Sequence, residues 1–360
     1  MKKVVMAMSG GLDSSVAAAL LKRAGFDVVG IFMKFWSPPL GKQGNRCCSP
    51  EAEIRARKVA KVLKIPFYVC DFEKEFKKRI VDYFLKEYRT GKTPNPCVVC
   101  NKEIKFGLLL EKALQFNADF VATGHYSRLK KDKNGIHLLR AEDKDKDQSY
   151  FLWQLHQKQL RRTLFPIGNY TRKEVESLAK KFKLPVLGIK KSVEICFIKT
   201  TINDFLSRYI KPKPGLILTP DGKKIGQHEG LPFYTIGQRK GIKLPGGPYY
   251  VLDKDLKKNF LIVTKNEKDL YKKELAAKNV NWIHPVKSPP RSRGGVAHGE
   301  FNRVKAKIRY RHQPASATIT KNLNSKIYNL KFKKPQRAIT PGQSVVFYQG
   351  QELLGGGIIC

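Results

Sequence analysis

Val4-Val5-Met6-Ala7-Met8-Ser9-Gly10-Gly11-Leu12-Asp13-Ser14-Ser15 is the stretch on which the fold turns. Five apolar residues in a row form a buried-strand pattern, and Ser14 to Ala24 is apolar at helical spacing. Between them lies a loop with adjacent glycines and two hydroxyls. Glycine lets a backbone approach an anion closely, hydroxyls add donors, and the following helix offers its free N–H groups and the positive end of its dipole. A phosphate-binding loop follows. It lacks the Gly-Lys-Ser/Thr ending of a P-loop and the spacing of a dinucleotide fingerprint, so both of those readings lose ground. The plainer alternative is a tight glycine turn capped by Ser14.

Working outward, the first 200 residues alternate short apolar runs with helical patterns. Strands are expected at Val28 to Phe32, Pro66 to Val69 and Phe120 to Thr123, and helices at Glu51 to Leu63, Phe72 to Arg89 and Ile104 to Phe116. That alternation predicts an α/β domain with a parallel sheet. Trp36 to Pro50 and Thr90 to Pro96, rich in proline, read as loops, and Asn134-Gly135 marks a hairpin turn. Past Ile198 the helical period fades and Pro and Gly become frequent. The expected organisation is a catalytic domain over 1–198, a small central domain over 199–275 and a C-terminal antiparallel β-barrel over 276–360, where short β-like runs recur between turn residues. Periodicity does not say how the central segment folds.

The chain of 360 residues carries 70 Lys+Arg against 30 Asp+Glu, yet 41% of it is hydrophobic, so it is a folded and very basic protein rather than a disordered one. No run approaches the roughly 18 uninterrupted apolar residues of a membrane span. The apparent strand begins almost at Met1, leaving no room for a targeting segment, and a cytoplasmic location is expected. Residues 301–350 hold 11 basic residues and no acidic one. There Lys305, Lys307 and Arg309 alternate with Ile308, Tyr310 and Tyr328, which suits a polyanionic partner. A general lysine richness of the chain is the bland alternative.

Seven cysteines are too few, and odd in number, for a disulfide scaffold. Cys97-x-x-Cys100 could be half of a zinc site or a redox pair, but a four-thiolate site wants a second spaced pair and only Cys47-Cys48 are adjacent. No resident metal is expected. Thiolates can instead act as nucleophiles or sulfur carriers when basic neighbours lower their pKa, and Lys102 and Lys105 are near in sequence. Cys196, flanked by Ile195 and Phe197, would ordinarily be a core cysteine.

The Ser9 to Ser14 loop resembles the pyrophosphatase loop of ATP-using enzymes that adenylate a carbonyl oxygen. More of the chain is similar to the tRNA-specific 2-thiouridylases: Asn95-Pro96-x-x-x-Cys100-Asn101, Gly124-His125-Tyr126, Lys146-Asp147-Gln148-Ser149-Tyr150-Phe151-Leu152, Ile195-Cys196-Phe197, Gly237-Gln238-Arg239-Lys240-Gly241, Arg309-Tyr310 and Leu354-Gly355-Gly356-Gly357. The resemblance runs nearly end to end.

It implies ATP and Mg²⁺, with ATP held by Ala7, Met8, Ser9, Gly10, Gly11, Leu12, Asp13, Ser14, Met33 and Gly124. By the same resemblance Cys196 carries a persulfide and Cys100 is its catalytic partner. tRNA with a wobble uridine (the Lys, Glu and Gln type) is then contacted by Asn95, Pro96, Cys97, His125, Lys146, Asp147, Gln148, Arg309, Tyr310 and Gln343. The implied reaction is 2-thiolation of that uridine, with sulfur from a cysteine desulfurase or a relay protein and no membrane partner. Two departures stand out. Cys97 lies where some members have Asp, and Lys191-Ser192-Val193-Glu194 precedes Cys196 where many have Asp-Ser. Cys47, Cys48, Cys70 and Cys360 match no family site. The rival readings are another adenylating loop enzyme of the lysidine synthetase type, which needs no Cys196, and a non-catalytic RNA-binding protein.

Overall fold

The computed structural model describes residues 1–38, 48–188, 195–284, 300–322 and 325–360, without the side chains of 300–302. The N-terminal part contains β1 (Lys3–Ala7), α1 (Leu12–Arg23), β2 (Asp27–Lys34), α2 (Pro50–Leu63) and β3 (Phe67–Asp71). Next comes one continuous helix over 73–89, made of α3 (Glu73–Phe76), a π-helical turn (Lys77–Val81) and α4 (Asp82–Arg89). A second continuous helix, over 96–115, joins α5 (Pro96–Cys100), a π-helical turn (Asn101–Leu108) and α6 (Leu109–Gln115). Then follow β4 (Phe120–Ala122), the hairpin β5 (Ser127–Asp132) and β6 (Gly135–Arg140), α7 (Gln157–Leu160), β7 (Thr163–Leu164), α8 (Arg172–Lys181) and α9 (Ile202–Ser207).

Strands β1 to β4 and β7 form a parallel sheet in the order β3-β2-β1-β4-β7. Val4, Val5 and Met6 of β1 are wholly buried, as a strand covered on both faces must be, and each such side chain contributes about 1.5–3 kcal/mol. The chain leaves β1 toward β2 on one side and returns at β4 on the other. That change of direction opens a crevice at the strands' C-terminal ends, where open α/β sheets bind ligands.

The helix expected from Ile104 begins instead at Pro96, which occupies its first turn, where proline needs no N–H partner. Its apolar period is hidden by the π-helical turn, which shifts the buried face. The widened turn is held by Gln159, whose Nε2 donates to the carbonyls of Phe106 (2.7 Å) and Lys102 (3.3 Å).

The central strands β8 (Gly215–Leu218), β9 (Lys224–His228), β10 (Tyr250–Asp255) and β11 (Phe260–Thr264) form a sheet in the order β10-β11-β8-β9. Beyond them β12 (Tyr271–Trp282), β13 (Glu300–Lys307), β14 (Ala315–Lys321), β15 (Tyr328–Arg337), β16 (Ser344–Gln349) and β17 (Glu352–Ile359) pair in the order β12-β15-β14-β13-β16-β17. Pairing of β12 with β17 closes them into the expected barrel. The hairpin at Asn134-Gly135 forms as expected, but β6 pairs with β17, so this piece of the N-terminal half extends the barrel's sheet.

The Gly355-Gly356 pair has a packing reason. A Cβ at Gly355 would meet the Asn281 carbonyl oxygen at 2.1 Å, and one at Gly356 would meet the Trp153 ring at 2.8 Å. Trp153 is fully buried and donates Nε1–H to Ser344 Oγ (3.0 Å). Among the described residues no helix is long and apolar enough to cross a membrane.

Candidate active site

The loop sits at the C-terminal end of β1, at the mouth of the crevice. Gly10 has φ +69°, and a Cβ there would lie 2.1 Å from the Ala52 carbonyl oxygen, so α2 packs directly on the loop. Arg55 Nε donates to the Gly10 carbonyl (3.2 Å), while the hydroxyls of Ser14 and Ser15 donate to the Gly11 carbonyl (3.1 and 2.8 Å). These bonds tie up the carbonyl oxygens of Gly10 and Gly11, and the Ser9 N–H donates to Ser14 Oγ (3.2 Å). No side chain caps α1 at Gly11, which leaves the first-turn N–H groups for a ligand. The opposite wall is Gly124, where a Cβ would stand 2.7 Å from the backbone nitrogen of Ser14. Ala7 and Met8 are buried at the end of β1, and Met33 is partly buried near the end of β2. The cradle suits a phosphate chain at the loop, with Met33 on the adjoining strand.

Asp13 has partners that the sequence did not announce. Its Oδ1 accepts from the Tyr126 hydroxyl (2.9 Å) and from Arg172 Nη1 (2.7 Å). Burial, followed by the Asp13 carboxylate, pushes the Tyr126 phenol well above its ordinary value, so it remains a donor. Arg172 also reaches Glu176 (2.7 Å), and its backbone N–H binds Asp143. An arginine opening α8 beside a capping box, Thr171 with Glu174, is a helix-start pattern whose electrostatic role appears only in three dimensions.

Cys97 is exposed and Cys100 is buried, both on α5. The backbone ahead of them is held from three sides. Gln343 Nε2 donates to the carbonyls of Thr93 (2.8 Å) and Pro94 (3.3 Å). The Thr93 hydroxyl lies 3.1 Å from that of Thr235, and Lys254 Nζ donates to the Gly91 carbonyl (2.9 Å). Burial pushes the Lys254 ammonium down to about 8. Pro96 is buried, and Asn95 lies against the Tyr150 hydroxyl, which donates to the Ser344 carbonyl (2.9 Å).

Cys196 is half-buried and packs on the main core. Its neighbour Phe197 is locked among Phe76, Phe84 and Phe205, with ring centroids 5.9, 5.3 and 5.4 Å away. The helix over 73–89 that carries Phe76 and Phe84 also packs against α5, and its Arg79 reaches Glu103 (3.3 Å) in the turn after Cys100. Both cysteine segments therefore flank one helix. Cys47 and the Lys191 to Glu194 departure lie outside the described residues. Of the bystanders, Cys48 accepts the Phe35 N–H (3.2 Å) and Cys70 is buried.

The expected RNA contacts divide into surface and interior. His125 is buried between Phe106 and Phe165, with Nδ1 2.6 Å from the Thr123 hydroxyl. Burial, then the charge of Lys105, holds it well below its ordinary pKa and hence neutral at pH 7. Asp147 is also buried, accepting from Arg140 Nε (3.0 Å) and from the N–H groups of Ala141 and Ser149. Gln148 exchanges two hydrogen bonds with the Tyr126 backbone, fixing this segment beside His125, and Lys146 is half-buried.

Arg309 turns its guanidinium onto the Ala338 carbonyl and Thr340, and Tyr310 packs its ring 4.5 Å from Phe151. Of the three alternating cations expected to face a polyanion, Lys305 is exposed, Arg309 is half-buried and Lys307 is buried beneath the Tyr310 ring. The outward row is instead Arg303, Thr318 and Lys331, paired across β13, β14 and β15. Strand period 2 separates that row from the inward Val304, Ala317 and Phe332.

A parallel sheet with an uncapped, glycine-lined helix start at its switch point defines an α/β domain of the open-sheet class, whose ligands bind at such a crevice. A family model described as tRNA methyl transferase HUP domain matches residues 2–200, one described as tRNA methyl transferase PRC-barrel domain matches 203–265, and one described as Aminomethyltransferase beta-barrel domain matches 272–359. The chain is 45% identical over 367 residues to the tRNA-specific 2-thiouridylase MnmA of Limosilactobacillus reuteri (strain DSM 20016), covering 99% of this chain and 95% of that one. Similar matches are the proteins of the same name from Streptococcus sanguinis (45% over 368 residues) and Enterococcus faecalis (44% over 366), each with the same 99% and 95% coverage. The chain belongs to the tRNA-specific 2-thiouridylase family.

Proposed function

We propose that this protein is an ATP-dependent tRNA 2-thiouridylase acting on the wobble uridine. The observation that carries the reading is the convergence of two features in a chain of this family. A glycine-lined cradle suited to phosphate lies at the β1/β4 crevice, and the segment leading into the helix of Cys97 and Cys100 is held by the central and barrel parts at once. In functional terms residues 1–198 would activate and thiolate, 199–275 would brace the loop, and 276–360 would grip RNA.

ATP with Mg²⁺ supplies a leaving group. The uridine O2 displaces pyrophosphate from the α-phosphate and becomes an adenylate, so that O2 departs with AMP. The cradle amides at Gly11 to Ser14 would hold the phosphates, and Asp13, oriented by Tyr126 and Arg172, would be the carboxylate nearest the metal. The terminal sulfur of a Cys196 persulfide attacks C2. The Cys100 thiolate then attacks the Cys196 sulfur, breaking the S–S link and leaving a Cys100–Cys196 disulfide as the base becomes a thiocarbonyl. Two electrons thus pass from the cysteine pair to the transferred sulfur, and an external thiol must reduce the disulfide for each turnover.

The test is thiolation of unmodified tRNA bearing a wobble uridine, with Mg-ATP, a cysteine desulfurase and cysteine, read as the retarded mobility of thiolated tRNA in a mercury gel. The wild-type chain should give an ATP-dependent shift that Cys196→Ser and Cys100→Ser each abolish while ATP binding stays largely intact. Retained activity in Cys196→Ser would favour a lysidine-type adenylating enzyme. tRNA binding without AMP release would favour a non-catalytic RNA-binding protein.

A further inference from the structure

Away from the crevice, three side chains converge where the β5–β6 hairpin meets the barrel. His137 comes from β6, Glu352 from β17, and His284 from just beyond β12. One donor atom from each lies within 4.8 Å of the others, and among the described residues this is the one such cluster of three. The two imidazoles are stacked, with centroids 4.2 Å apart and planes 23° from parallel.

The hydrogen bonds assign the tautomers. Gln157 Nε2 donates to the carbonyls of Ile136 (2.9 Å) and Ile283 (3.1 Å), which uses both of its amide hydrogens. His284 Nε2 lies 2.9 Å from the same Ile136 carbonyl and 3.3 Å from that spent amide, so Nε2 carries the proton and Nδ1 bears the lone pair. His137 is placed between two carboxylates, Nε2 2.9 Å from Asp132 Oδ2 and Nδ1 2.7 Å from Glu352 Oε1. Asp132 is itself fixed by the Asn134 N–H on its other oxygen (2.7 Å). A histidine whose far nitrogen is ion-paired at 2.9 Å with an anchored carboxylate, and whose near nitrogen faces a second carboxylate beside another imidazole, resembles the arrangement of metal-bound histidines.

We propose that His137, His284 and Glu352 bind a divalent transition-metal ion of borderline softness, with Zn²⁺ as the probe of choice. Two imidazoles and a carboxylate match its donor preferences, with water in the fourth position. Bonds of about 2.0–2.1 Å in a tetrahedron put ligand atoms roughly 3.3 Å apart, so the His137–Glu352 edge needs to open by about 0.6 Å. Binding replaces the Nδ1 proton of His137 by the metal and releases that proton to solvent, while Nε2 stays beside the Asp132 carboxylate. The ion would staple the hairpin to the barrel and stabilise the folded chain by mass action.

The experiment is Co²⁺ and Zn²⁺ titration of the full chain and of His284→Gln, a variant that can still donate to the Ile136 carbonyl. Co²⁺ held by nitrogen and oxygen shows ligand-field bands, whereas any bound by Cys97 or Cys100 adds thiolate charge-transfer absorption, so the two kinds of site are told apart. The wild-type chain should bind one nitrogen- and oxygen-ligated equivalent, with affinity at least about tenfold weaker in His284→Gln. Its melting temperature should rise with Zn²⁺ by more than that of the variant. Equal affinity and equal Zn²⁺ response in the two proteins would overturn the site and leave the cluster an ion pair. His137→Ala, which removes both carboxylate contacts, checks the same loss where it remains folded.

Discussion

Gln343 Nε2 donates to the Thr93 carbonyl at 2.8 Å across 250 residues of sequence, so a turn of the C-terminal barrel holds the backbone that leads into Cys97 and Cys100. The neighbouring backbone adds to it, since the Thr93 N–H donates to the Pro341 carbonyl (2.9 Å). Gln343→Ala should lower the thiolation rate constant about five- to tenfold, as expected for about 1 kcal/mol of lost positioning in all. ATP affinity should be unchanged. Single-turnover thiolation beside nucleotide binding reads both; equal loss in the two would place Gln343 in general stability instead.

Gly124 faces α1 with no room for a side chain. Gly124→Ala would put a Cβ 2.7 Å from the Ser14 nitrogen and 2.8 Å from the Asp13 carbonyl carbon, both rigid backbone atoms. The helix start must move, and overpacking of this kind costs about 1–3 kcal/mol. ATP affinity measured by calorimetry should fall at least about tenfold; an unaltered value would mean the crevice wall is not part of the nucleotide site.

Asp147 is expected from the family resemblance to meet tRNA, yet its carboxylate is buried on Arg140 and two backbone amides. Asp147→Ala leaves a partly buried guanidinium without its partner and should destabilise the chain by about 3 kcal/mol in urea unfolding. A loss below about 0.5 kcal/mol, together with weakened tRNA binding, would return Asp147 to the RNA surface.

Lys254 offers a pH test. Burial, the dominant cause, lowers its ammonium to about 8, against an ordinary value of 10.5. Between those values the unfolded chain keeps a proton that the folded chain has released, so this residue makes stability rise with pH. Relative to Lys254→Met, the wild-type chain should gain roughly 2–3 kcal/mol between pH 7.5 and 10. Tyrosines and cysteines cancel in the comparison of the two proteins. A constant difference across that window would show that Lys254 titrates normally.

Barrel cations are to be tested on the outward row. Replacing Arg303, Lys305 and Lys331 together with Gln should weaken tRNA binding and flatten its dependence on log salt, by roughly 0.7 for each phosphate of single-stranded RNA that is no longer neutralised. Lys307, being buried, should affect folding rather than the slope. An identical slope in the triple variant would move the RNA surface off this face.

Much of the fold is legible in the sequence. The strand–loop–helix at Val4 to Ala24 and the repeated strand and helix alternation form where period and turn residues predict them, and the C-terminal strands close into the expected barrel. The helix start at Pro96 is not legible, because a π-helical turn breaks the 3.6-residue period and that turn depends on Gln159, more than fifty residues away. The inward and outward sides of β13 are hidden as well, since reading Lys305, Lys307 and Arg309 as one alternating set ignores where the barrel curvature tucks the strand's end under Tyr310. At the site, the loop and the cysteine segments are visible as motifs, whereas Arg172 and Gln159 carry no local signature.

By itself the sequence determined what each segment would be: where the backbone must be glycine, which faces are apolar, and which residues can carry phosphate and sulfur chemistry. Those properties arise from dihedral freedom and side-chain type within a few residues. Tertiary structure alone decided the partnerships: Asp13 with Tyr126 and Arg172 across 113 and 159 residues, Thr93 with Gln343, the hairpin on β17, and His137 beside Glu352 and His284. An apolar period shows that a face will be covered and leaves open what covers it. That choice belongs to the packing of distant elements, where shape and paired polar groups select one arrangement.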